Sequence, residues 1–470
     1  MRRLAALDSL DRLDRGVLLT VVVLIALLLG VLWRGDQAGV LIIAFAPQEA
    51  RTTSVIRLTF SEMMDTASVE SRLSLTPPVE RRLSWSGTTL TVTPLRAWLP
   101  ELSYTVRLEA GARSQSGRLL LAAFEESFTP RPPRVVYLSP AASTDLAQPT
   151  NLWLVDPDQP LISSQLTRSA LGVEFFQPSP EGDWIAYSQP SEGGTADLYV
   201  LEVASGERRR LTNCAAVLAR CTAPEWSPDG TRLIYERTEL DPAFEWYDRD
   251  VPRAWLLSLR DLSTAPLLND TSRLGGVPKW SPDGTQIAAY DRNIGAIAIY
   301  DLTSGARKLI ETLDDVGDYA FHPQDGRFVY AQLIQIVGRF SSALEMVDLN
   351  DPSSGLRRIS GEGSVVEDRQ PRWTPDGARL IFTRRVLDGS GIPSAQLYAL
   401  DPETERVTPL LLDADYFHGA ISLDPTGRYL LMQRVPINAA QPVPSIWVLE
   451  IETGRLWQIA ENGFLPRWLP

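Results

Sequence analysis

A short phrase recurs through the last two-thirds of the chain and narrows its fold more than any other feature. It reads WSPDG at Trp226–Gly230 and Trp280–Gly284, and WTPDG at Trp373–Gly377. Weaker copies stand at Pro178–Gly182, Phe321–Gly326 and Leu423–Gly427. Their glycines, at 182, 230, 284, 326, 377 and 427, are 48, 54, 42, 51 and 50 positions apart. Each copy reads as a tight turn. Pro presets φ at the second position of a type I turn, Asp tolerates the third, and Gly takes the positive φ that follows. The Trp ahead of it is a large anchor between neighbouring units. A β-branched or aromatic run comes next, as at Leu233–Tyr235, Ile287–Tyr290, Phe328–Tyr330 and Leu380–Phe382. A third run ends in an acid, as at Leu198–Glu202, Ile297–Asp301, Leu397–Asp401 and Ile446–Glu450, and a fourth closes many units, as at Arg210–Thr212. Several short strands repeating at this period predict a β-propeller over 132–470.

Six turn phrases give six complete blades. Residues 134–168 hold three blade-like strands without a turn: Arg134–Leu138, Leu152–Asp156 and Gln165–Thr167. The first strand they lack stands at the other end, as Pro466–Leu469. The expectation is a seventh blade shared by both ends, which hides two strand edges.

The propeller units resemble TolB-type, WD40-like repeats (W-S-P-D-G, then I-A-F, I-Y-V-x-D and L-T) over about 340 residues. The resemblance implies a fold and a superfamily rather than a reaction. That superfamily includes partner-binding envelope propellers and the non-catalytic propellers of peptidases. Residues 40–131 read as a separate antiparallel β-sandwich, with alternation at Ser54–Phe60, Thr88–Thr93 and Ser103–Leu108. Phe60–Asp65 (FSEMMD), Leu90–Pro94 and Leu102–Val106 resemble the bacterial Ig-like domains, which act as spacers or adhesive modules. Glu62 and Asp65 read either as solvated turn carboxylates or as a cation site. The fold class is therefore all-β.

At the N-terminus, Val17–Trp33 is an apolar run without a charge, preceded by Arg2, Arg3, Arg12 and Arg15. It predicts a transmembrane anchor over 16–34, with 1–15 cytoplasmic and the bulk extracytoplasmic in the cell envelope. A cleaved signal peptide and a buried core helix are the alternatives. An oxidising compartment suits a local disulfide between Cys214 and Cys221, the alternative being two small buried hydrophobes.

Formal net charge is −13, which argues against nucleic acid as the main ligand. Two His and two Cys in 470 residues leave little for a metal centre, and no cofactor is implied. No G-x-S-x-G elbow, P-loop or H-E-x-x-H is present, so no catalytic residue is named. Binding residues are expected on the propeller face with long, varied loops (139–151, 188–196, 237–254, 384–395 and 434–445). In loop 237–254, Phe244, Trp246 and Tyr247 suit a protein interface, or fold on one another. Around the channel, Asp318, Tyr319, Glu367, Asp368, Arg369, Asp415, Tyr416 and His418 either meet a ligand or tie blades together, and His322 reads as structural. The leading expectation is a non-enzymatic binding or scaffold protein with a protein partner. A propeller hydrolase or lyase, or a glycan-binding module acting on envelope polymers, is the alternative.

Overall fold

The computed structural model describes residues 17, 19–27, 39–141, 148–240, 252–268, 275–313, 318–336, 339–351, 353, 355–361 and 366–470. It divides into two compact units.

The smaller unit holds two sheets. One orders Ile42–Ala46, Ile56–Phe60, Thr89–Pro94 and Arg81–Ser86; the other orders Leu73–Thr76, Tyr104–Leu108 and Phe124–Phe128. Alternation sets the inward faces. Ile56, Leu58 and Phe60 are buried while Arg57 is exposed; Leu90 and Val92 are buried beside them in the same sheet, and Val106 and Leu108 in the other. Asp65 caps the short helix Thr66–Glu70 by accepting from the Ser68 amide at 3.4 Å, and Glu62 accepts from Ser116 Oγ at 2.8 Å. Both carboxylates thus serve the turn, and no metal-binding cluster occurs among the described residues.

The larger unit contains seven four-stranded sets. Blade 1 orders Ser163–Gln165, Asn151–Val155, Arg134–Ser139 and Phe464–Leu469, so the C-terminal strand completes a sheet begun some 330 residues earlier. Phe464 pairs with Leu138 and Leu469 with Arg134. Blades 2 to 7 begin with first strands Phe175–Pro178, Ala219–Trp226, Gly276–Trp280, Tyr319–Phe321, Val366–Trp373 and Tyr416–Leu423. Single parallel bridges, Ala196 to Arg220 and Ser342 to Glu367, join blades 2 and 3 and blades 5 and 6.

Two repeated devices explain the sequence phrases. In the turn, Asp229 Oδ1 accepts from Ser227 Oγ at 2.5 Å and from the Thr231 amide at 3.1 Å, and Gly230 sits at φ 68°. Asp283 repeats this with Ser281 and Thr285, and Asp376 with Thr374 and Ala378. At the fourth strand, the Thr212 hydroxyl accepts from the Leu198 amide and donates to Asp197, each at 2.9 Å. Thr167 does the same between Leu152 and Asn151. The indoles then tie blade to blade: Trp226 Nε1 donates to Gln177 O at 2.9 Å, Trp280 to Glu225 O at 3.4 Å and Trp468 to Ser422 O at 3.0 Å.

The expected membrane anchor is corrected. Among the described residues no helix is long and apolar enough to cross a membrane; helix in this stretch is described at Val17 and at 19–27. The apolar composition was real, but the described helix falls short of the twenty or so residues a bilayer core requires. The envelope placement that depended on the anchor goes with it. The cytoplasmic tail expected over 1–15 lies outside the described residues. Cys214 and Cys221 are disulfide-bonded.

Candidate functional site

Five of the seven first strands carry the same irregularity. The ladder slips between Thr222 and Glu225, Gly276 and Lys279, Arg369 and Arg372, Gly419 and Ser422, and Phe464 and Arg467. At each slip one residue takes a left-handed backbone: Ala223 (φ 48°), Val277 (49°), Gln370 (56°), Ala420 (49°) and Leu465 (48°). Four are followed by a buried proline, Pro224, Pro278, Pro371 or Pro466. Proline brings no N–H, so it fits where a ladder bond is lost. A β-branched residue such as Val277 resists positive φ, so the surroundings must hold it there. The Val277 amide donates to Glu236 Oε1 at 2.6 Å and the Leu465 amide to Gln433 Oε1 at 3.2 Å, each acceptor coming from the second strand of the preceding blade.

One position recurs in every first strand: the residue before the repeat Trp, or before its counterpart Pro178, Phe321 or Leu423. From blade 1 to blade 7 this position holds Arg467, Gln177, Glu225, Lys279, Ala320, Arg372 and Ser422. The charged members lie far apart in sequence but feel one another. Burial pushes the Glu225 carboxyl up, against the pull of Lys279, Arg467 and Arg372. Burial, helped by the charge of Arg372, brings the Lys279 ammonium down to about 8. Burial and Arg372 bring Arg467 down to about 10, and burial lowers Arg372 against Asp318 and Glu225. Lys279 Nζ donates to Tyr319 O at 3.4 Å and lies 5.5 Å from the Tyr319 ring centre. Glu225 accepts from the Trp280 amide at 3.2 Å.

At the end of the channel next to the turn phrases is a cavity of about 440 Å³. Gln177, Arg372, Ser422 and Arg467 line it, with Trp226, Trp373 and Trp468 among its walls.

Those residues singled out from sequence that are described are held in separate local contacts. Tyr319 is fully buried and its hydroxyl donates to Val277 O; Asp318 lies within the field of Lys279 and Arg372. Asp368 is fully buried and held by the Arg384 guanidinium at 2.7 and 2.8 Å and by Ser360 Oγ at 2.6 Å. Glu367 pairs with Arg385 at 2.6 Å and with the exposed Arg369 at 3.0 Å. Asp415 is exposed, and Tyr416 lies 3.9 Å beneath the Arg434 guanidinium, which also pairs with Asp413. His418 is fully buried with neither ring nitrogen partnered among the described residues; burial, then Arg434, lowers it to about 4. Asp368 and His418 therefore form no acid–base pair. His322 is buried in its turn, edge-on to Trp373 at 4.6 Å. Phe244, Trp246 and Tyr247 lie outside the described residues.

Sequence reading missed Glu225, Lys279, Arg372 and Arg467, yet a signal was present. They are the third residue of APEW, VPKW, QPRW and LPRW, always between Pro and the repeat Trp.

The chain thus joins a β-sandwich to a β-propeller. Residues 41–130 match the family model described as a bacterial Ig-like domain. Dipeptidyl-peptidase 5 of Porphyromonas gingivalis is 24% identical over 230 residues, covering 45% of this chain and 31% of that protein. The chain thus spans about three-tenths of that relative's length. A solved prolyl endopeptidase superposes with TM-score 0.53 at 15% identity, covering 70% of this chain and 50% of that one, a likeness of fold. TolB from Acinetobacter baumannii is also a structural neighbour, at TM-score 0.41 and 15% identity over 85% of this chain and 83% of that one.

Proposed function

We propose that this chain is a non-catalytic binding protein that docks a protein partner on the long-loop face of its propeller. The observation carrying this reading is a concentration of exposed apolar side chains on that face. Phe175 and Phe417 stand at the starts of first strands, Ile294 and Phe340 border second-to-third connections, and Val217 and Leu218 lie between blades 2 and 3. Phe340 is 66% exposed and Val217 57%. The Cys214–Cys221 bridge closes the loop that presents Val217 and Leu218, so that part of the surface is held in shape. Apolar groups gathered on one face of a rigid scaffold suit a protein interface.

A second reading, an enzyme acting on peptides, is favoured by the peptidase name of the curated relative. It lacks an assembled acid–base pair at His418 and Asp368.

A photo-crosslinking side chain at Phe340 tests the first reading against one at the exposed Ser205, on the opposite face. A discrete protein adduct from position 340, weakened by Phe417→Asp and Val217→Asp, is expected, with none from position 205. Equal capture from both faces contradicts the reading. Hydrolysis of a peptide library by the purified chain, lost in His418→Ala, replaces it with the enzyme.

A further inference from the structure

Around the axis, four consecutive blades (6, 7, 1 and 2) place Arg372, Ser422, Arg467 and Gln177 at the same position near the end of the first strand. All four line the cavity of about 440 Å³ beside the turn phrases. The remaining three blades contribute Glu225, Lys279 and Ala320, so the ring is divided into a donor half and a mixed half.

The donor half is unsatisfied. Arg372 Nη1 donates to Pro371 O at 2.8 Å and Arg467 Nη1 to Pro466 O at 3.2 Å, each the carbonyl of its own neighbour. Neither guanidinium forms an ion pair among the described residues, whereas Arg220, Arg327, Arg384 and Arg428 each do. The side chains of Gln177 and Ser422 have no hydrogen-bond partner among the described residues either; Trp226 and Trp468 donate to the backbone carbonyls of these residues. The carboxylate of the same rim is already occupied: Asp424 is buried and accepts from the Tyr429 amide at 2.7 Å and from Thr426 Oγ1 at 2.5 Å.

Two like charges facing one cavity with carbonyls as their only close partners are costly, and that cost falls when an anion enters. A guanidinium presents a planar fork that matches a carboxylate or phosphate with two parallel bonds. A neutral hydroxyl and amide beside it complete an oxyanion's shell, and tryptophan walls accept an apolar substituent. A cavity of this size lies in the range that takes small ligands.

We propose that Arg372, Ser422, Arg467 and Gln177 form a binding site for an oxyanion, a carboxylate or a phosphate, carried by a small ligand. This site lies at the other end of the channel from the proposed partner surface, so either can fail alone.

Thermal melting of the full chain in inorganic phosphate and in succinate, against sodium chloride at matched ionic strength, tests it. The parent should show a saturable rise in melting temperature with at least one of the two anions. Phosphate alone identifies a phosphate ligand, and succinate alone a carboxylate. Arg372→Met and Arg467→Met should each weaken binding about tenfold or more, the loss expected for one charged hydrogen-bonding group. Without anion, Arg372→Met should melt no lower than the parent, because a like-charge contact is removed. Arg406→Met, on an exposed outer strand, should respond as the parent does. If an arginine variant does not fold, Gln177→Glu decides: a carboxylate placed in the cradle should abolish the anion response. No saturable shift in the parent beyond that of chloride, or an undiminished shift in the Met or Glu variants, overturns the site.

Discussion

Trp468→Phe and Trp373→Phe make the same chemical change at equivalent positions of two blades, yet the structure predicts unequal costs. Trp468 is 7% exposed and Trp373 8%, so each loses a similar slice of buried ring, worth roughly 1–2 kcal/mol. The indole of Trp468 donates to Ser422 O at 3.0 Å. That of Trp373 has no acceptor among the described residues. The difference arises in the preceding blade. The first strand of blade 5, Tyr319–Phe321, has only three residues, and the His322 ring that follows stands edge-on to Trp373. Phe at 468 therefore strands a part-buried carbonyl, adding about 1 kcal/mol, whereas Phe at 373 removes an orphaned donor. Equilibrium urea unfolding followed by far-ultraviolet circular dichroism should show a larger drop in midpoint for Trp468→Phe at unchanged m. Trp226→Phe and Trp280→Phe should group with Trp468→Phe. If Trp373→Phe costs as much as Trp468→Phe, the inter-blade indole bonds do not stabilise the propeller as described.

Two further outcomes are expected. His418 binds a proton near pH 4 when folded and near 6.5 when unfolded, so its contribution to stability is lost as pH falls through that window. The full shift is worth about 3 kcal/mol, and His418→Phe should show a correspondingly flatter decline in urea midpoint between pH 7 and pH 4.5 than the parent. Deleting residues 464–470 removes Trp468 and Leu469 and bares the edge of Arg134–Ser139. The truncated chain should melt far lower or aggregate on size exclusion; an unchanged monomer would mean that the C-terminal strand does not complete blade 1.

What was legible in the sequence was local or complementary. The turn phrase carries its own hydrogen bonds, since Ser227, Asp229 and Thr231 meet without outside help. Pairing of the two ends could be read because Arg134–Leu138 lacked the first strand that Pro466–Leu469 supplied. The alternation at Ile56, Leu58 and Phe60 named its own buried face. The channel was not legible, because a bulge is a tertiary event. Nothing local tells Val277 or Gln370 to adopt positive φ, and the amide freed at Val277 is satisfied by Glu236, 41 positions away. Of the polar residues at strand starts, Asp318 and Tyr319 lie beside Lys279. Glu367, Asp368 and Tyr416, also at strand starts, instead meet arginines of the same or the neighbouring strand. The Val17–Trp33 run has the composition of a span, yet among the described residues no helix is long and apolar enough to cross a membrane.

Residues distant in sequence converge on one axis, and Lys279 reports this directly. Lys279 and Lys308 are the chain's two lysines, so an NMR titration of ¹³C-labelled lysine side chains yields two signals, assigned with Lys308→Arg. The Lys279 signal should titrate near pH 8. Removing a positive neighbour by Arg372→Met or Arg467→Met should raise that midpoint, and Glu225→Gln should lower it. A Lys279 signal titrating near 10.5, unmoved by substitutions at 225, 372 and 467, would contradict the charged channel.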